Sequence, residues 1–183
     1  MAKKVISFSL NAASIDRAIK ELDDYIDDFQ QKCNTLREKI AERIAWSAST
    51  GFRAAISGDI VGRVENGKLV KAEPLQSNVQ VSVTHDGNIS VVFAEGEEAV
   101  FIEYGAGVYN NGAAGSSPHP WGPENGYLIG TYGKGHGRKK TWGYQNENGE
   151  IILTHGTPAA MPMYRGMREA INAIDGLIRE VFG

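Results

Sequence analysis

The 183-residue chain has one cysteine, Cys33, so no intrachain disulfide and no cysteine-rich zinc site can form. Cys33 falls at an apolar position of a helical pattern and is expected to act as a small core residue. No apolar run approaches the roughly 18 residues of a membrane span. The short run Val5–Leu10 behind Lys3-Lys4 is too brief for the core of a signal peptide. These absences point to a soluble protein made in a reducing compartment. Charge of one sign is also lacking, with 19 Lys+Arg against 22 Asp+Glu, so no global field gathers nucleic acid or anionic lipid. The four histidines stand singly, no serine sits in a nucleophile elbow, and the acidic pairs lie on a solvated helix face. No set of residues for catalysis, a cofactor or a metal emerges, and an enzyme is not expected.

The strongest pattern present is helical. Ile15, Ile19, Leu22, Ile26, Phe29, Cys33, Leu36, Ile40 and Ile44 recur in steps of three and four, with no Pro or Gly before Gly51. This predicts one helix over 11–50, capped by Asn11, with Leu10 packing back on the first turn. Thirty-eight such residues span roughly 57 Å, against a diameter of about 40 Å for a compact domain of this size. The helix must overhang its globule, bend near 45–49, or lie against a neighbour. A sustained seven-residue stripe favours another helix as its partner, so Ile15, Ile19, Leu22, Ile26, Phe29, Leu36 and Ile40 are the candidate self-association residues.

Elsewhere the period is two. Residues 4–10 alternate and predict a short strand. Residues 51–73 are mixed, with a strand near 55–61. Residues 79–95 read as a β-hairpin turning at Asp86-Gly87-Asn88, and 141–154 as a second hairpin. Residues 97–104 suit a short helix or strand, and Pro162 opens a terminal amphipathic helix over 162–182. The expected class is α+β: two helices packed on a small antiparallel sheet of hairpins, in one domain.

Between 105 and 149 lie 12 of the 22 glycines and three of the six prolines. A loop of that length in a compact domain is usually either functional or disordered, and its aromatics, which need a surface to rest on, argue against a passive linker. Tyr109, His119, Trp121, Tyr127, Lys134, Arg138, Lys139, Lys140 and Trp142 are therefore the candidate partner-contact residues. The basic stretch 133–140 lacks the spacing of a phosphate-binding loop. Two readings stay open for it: a nucleic-acid-binding module with Trp142, or a loop ordered by an acidic protein surface. Residues 51–104 carry 4 Lys+Arg and 8 Asp+Glu, which makes Asp59, Glu65, Glu95 and Glu97 candidates for an acidic rim or lumen.

The segment Val100-Phe101-Ile102-Glu103-Tyr104-Gly105-Ala106-Gly107 resembles the Glu-Tyr-Gly signature of the tail-component family of tailed phages, the siphophage neck or tail-completion proteins. The likeness extends downstream to the Pro-rich cluster at 118–123, Trp142-Gly143-Tyr144, Thr154–Ala159 with Met161-Pro162-Met163, and the helix beyond. The insertion at 106–140 is longer than the family pattern. The resemblance implies a virion protein, made in the bacterial host cytoplasm, that assembles as a ring, expected as a hexamer. Such a ring joins head-closure proteins to the tail tube or tail terminator, with DNA passing through without sequence-specific binding. No enzymatic activity and no membrane partner are implied.

Overall fold

A computed structural model describes residues 5–107, 118–126 and 140–183. The fold is α+β. Helix α1 (Ala12–Ala54) has 43 residues, about 64 Å at the α-helical rise. Asn11 caps it as expected: the Ser14 N–H donates to Asn11 Oδ1 at 3.0 Å, and the Ser9 N–H donates to Ser14 Oγ at 3.0 Å. Leu10 does not pack back; it is 95% exposed. The helix also runs past Gly51, because Phe52 in the next turn is fully buried and holds the chain helical.

Helix α3 (Pro162–Phe182) lies antiparallel along α1. Pro162 meets Gly51, Gly166 meets Ala48 and the Ile44 carbonyl, and the Phe182 ring lies 5.8 Å from that of Phe29. Glycine sets the closeness of the two helices. A Cβ on Gly166 would fall 2.8 Å from the Ile44 carbonyl oxygen, well inside contact distance. At the flank, Glu169 accepts from Arg43 at 2.9 Å and from Ser47 Oγ at 2.7 Å. Lys39 pairs with Glu180 at 2.8 Å.

Strands β1 (Ile56–Gly58), β2 (Ile60–Glu65), β3 (Lys68–Lys71), β4 (Leu75–Gln76), β5 (Gln80–Asp86) and β6 (Ile89–Glu95) follow α1. After β6 comes the short helix α2 (Ala99–Tyr104), and β7 (Trp142–Gln145) with β8 (Ile151–Thr154) precedes α3. The expected hairpins 79–95 and 141–154 both form, but in separate sheets. β5 and β6 make a two-stranded ribbon against α1, while β7 and β8 join a four-stranded antiparallel sheet in the order β3-β2-β8-β7. The β2–β3 hairpin completes that sheet within the stretch that reads as mixed. Its turn is Asn66-Gly67, with φ of 49° and 75°, the left-handed pair a two-residue hairpin turn requires. β1 and β4 form a third, two-stranded pair.

Among the described residues the buried core is small: Phe52 of α1 and Ala55 just past its end, Val79, Ala99 and Ile102, with Val81, Ala94, Ala160 and Met163 packed around them. It sits where α1, α2, α3 and the ribbon meet, at the C-terminal end of α1. Residues 5–9 form no strand despite their alternation. A strand exists only with a partner, and this segment has none among the described residues.

Candidate assembly interface

Helix α1 extends well beyond the layers packed on it. The ribbon turn reaches as far as Arg37, whose Nη1 donates to the Gly87 carbonyl at 2.7 Å and whose Nε donates to Ser90 Oγ at 2.9 Å. Helix α3 reaches as far as Phe29. The 17 residues Ala12–Asp28 lie beyond that level, roughly 25 Å of helix. Here Ile15, Ile19, Leu22 and Ile26 are exposed, as is Phe29 at the boundary. Further along, Leu36 and Ile40 are half-buried and line a 330 Å³ groove with Cys33, Ile44 and Val92. The predicted stripe therefore divides in two. Its C-terminal part faces the protein's own body, and its N-terminal part faces outward. Cys33 is half-buried in the groove rather than enclosed in the core.

That groove continues into a 460 Å³ cleft, because Ile44, Ser90 and Val92 line both. The cleft is walled by Phe52, Ala94, Met163, Met167 and Trp121, and at its end lies a buried polar cluster. Glu103 of α2 accepts from the Met163 N–H (Oε2, 2.8 Å) and from the Tyr164 N–H (Oε1, 2.9 Å). Its Oε1 also accepts from His119 Nε2 at 3.0 Å. The carboxylate thus caps α3 from another element, where the helix's positive end favours a negative charge. The α3 N-cap residue, Met161, makes no side-chain cap bond. The His119 tautomer follows from its second partner. Its Nδ1 accepts from the Trp121 N–H at 3.1 Å, so the proton is on Nε2 and points at Glu103. Tyr104, Trp121 and Tyr164 stack around the imidazole at 4.4–5.8 Å between centroids.

These contacts correct the expected role of His119. It is 2% exposed, inside the molecule rather than on a contact loop. The segment 118–126 is likewise a compact turn seated on α2 and α3, not an extended loop. Trp121 keeps an exposed edge while packing on Tyr164. Trp142 lies in β7, and its Nε1 donates to the Gly107 carbonyl at 2.9 Å. Lys140 lies beside β7, whereas Tyr109, Tyr127, Lys134, Arg138 and Lys139 fall outside the described residues.

The acidic candidates lie on different elements. Asp59 accepts from His155 Nδ1 at 3.0 Å, Glu65 pairs with Arg63 in the four-stranded sheet, and Glu95 and Glu97 are exposed at the end of the ribbon. Among the described residues, no three His, Cys, Asp or Glu side chains are placed to hold a metal, and no helix is long and apolar enough to cross a membrane.

The segments that carry the family resemblance meet in space. Glu103 touches 163–164 and His119, Ala106 bridges to Thr157, and Gly105 (φ 80°) packs on Ala159. What sequence reasoning missed is the direction of Glu103. The helix that Glu103 caps begins 59 residues later, and no local pattern marks the pairing. No family model, curated protein or solved structure matches the chain.

Proposed function

We propose that this chain is a structural subunit of a tailed-phage neck, a tail-completion ring built from copies of itself. The observation that carries the reading is the outward-facing apolar stripe of α1, Ile15 to Phe29, on a helix that overhangs its own body. An exposed apolar stripe of this kind marks an interaction surface. A head-to-tail contact, in which one copy's overhang meets a different surface of the next, closes into a ring when its rotation closes. In this reading the ring sits between head-closure proteins and the tail tube and lets DNA through without gripping it. The assignment to the neck draws on the Glu-Tyr-Gly signature and on the convergence of the resembling segments around Glu103.

The test is assembly with and without the stripe. Purified chain, alone and mixed with the tail-tube or head-closure protein encoded beside it, is expected to form ring-shaped particles by negative-stain microscopy. The Ile19→Asp, Leu22→Asp double variant is expected to stay dispersed. Indistinguishable particles from the variant would refute the stripe as the contact. A chain that never assembles with any such partner would refute the ring.

A further inference from the structure

Residues 5–10 form a strand-patterned segment that cannot reach its own body. Ile6, Phe8 and Leu10 fall on one side and Val5, Ser7 and Ser9 on the other, and Phe8 is 61% exposed. Six extended residues span roughly 20 Å. Along α1, Cys33, which shares the groove with Ser90 and Val92 of the ribbon, lies 22 residues from Asn11, about 33 Å away. Folding back cannot close that gap.

The ribbon offers the matching surface. Among the described residues β6 pairs only with β5, so its other edge has no strand partner. Ser90, Val92 and Ala94 of β6, and no residue of β5, line the groove and cleft that run along α1. The unpaired edge therefore borders an apolar trough. β6 has seven residues, close to the length of the segment.

Charge complements shape. Residues 1–10 hold Lys3 and Lys4 and no acid, while 72–104 hold six Asp+Glu and no Lys or Arg. Three of those acids, Glu95, Glu97 and Glu98, cluster at the C-terminal end of β6. Its other end is near Arg37.

We propose that residues 5–10 of one copy add to the unpaired edge of β6 in a second copy as an antiparallel strand. Strand addition supplies main-chain hydrogen bonds and pockets for alternate side chains. In this register Ile6, Phe8 and Leu10 enter the trough beside Ser90, Val92 and Ala94, and the serines face solvent. The inference rests on the self-assembly reading above and names a second, separate contact for it.

The test uses a peptide of residues 3–10, titrated into isotope-labelled full chain carrying Phe8→Asp, whose own segment no longer competes. Amide shifts are expected along Ile89–Glu95, with binding about tenfold weaker in a recipient that also carries Glu95→Lys and Glu97→Lys. A Phe8→Asp peptide is expected not to bind. No binding at millimolar peptide, or shifts confined to the α1 stripe, would overturn the proposal. Full-chain sedimentation separates the two contacts. If Phe8→Asp assembles as the parent does while Ile19→Asp, Leu22→Asp does not, strand addition fails and the helix contact stands. The converse result removes the helix contact and leaves strand addition in place.

Discussion

At the scale of the residue, Glu103 does the work that no α3 residue does for itself. Its carboxylate takes two part-buried helix-end N–H groups and the buried His119 Nε2–H. Glu103→Ala strands three donors and is expected to cost about 3–5 kcal/mol in urea unfolding. His119→Phe keeps the stacked ring but removes one bond to Glu103 and one acceptor for the Trp121 N–H. A loss of about 1–3 kcal/mol is expected for it. Two α3 glycines provide a contrast of sign. Gly166→Ala pushes a methyl against the Ile44 carbonyl and should destabilise by about 1–3 kcal/mol. At Gly176 nothing lies within 4 Å of the place a methyl would take, so Gly176→Ala should gain about 1 kcal/mol through helix propensity. Thermal or denaturant melts of the two variants should move in opposite directions.

At the scale of the element, local signals are legible in the sequence and pairings are not. The three-four spacing and Asn11 announce α1, Pro162 announces α3, and alternation on either side of Gly87 announces the β5–β6 ribbon. Asn66-Gly67 is as strong a turn signal, and it marks a hairpin within a stretch whose polar, glycine-interrupted strands show little alternation. Which hairpins share a sheet depends on contacts between residues far apart in sequence, such as Ile60 with Thr154, and no local pattern encodes that. The candidate interface divides in the same way. The stripe on α1 is visible as periodicity, but its partition at Phe29 depends on where α3 ends against it. His119 reads as a surface residue because its burial is supplied by α2 and α3, both distant in sequence. The partition at Phe29 predicts a gradient in hydrogen exchange. In the dispersed chain, amides of 12–28 should exchange far faster than those near Ala48 and Phe52, whose helix is held by packing. On assembly the gradient should flatten.

At the scale of the whole molecule, the small core and the long helix belong to one design. Packing is concentrated at the C-terminal end of α1, so the overhang contributes little to the stability of the single chain and is available to another. The Ile19→Asp, Leu22→Asp variant should therefore unfold within about 0.5 kcal/mol of the parent, as for exposed positions generally, while losing self-association. Sedimentation velocity on that variant and the parent, over a range of concentration and with the tail-tube or head-closure partner present, decides whether the overhang builds the ring. The parent should give a discrete ring-sized species, and the equally stable variant should give a monomer. An identical large species from both, or a parent that stays monomeric throughout, would contradict assembly through the α1 stripe.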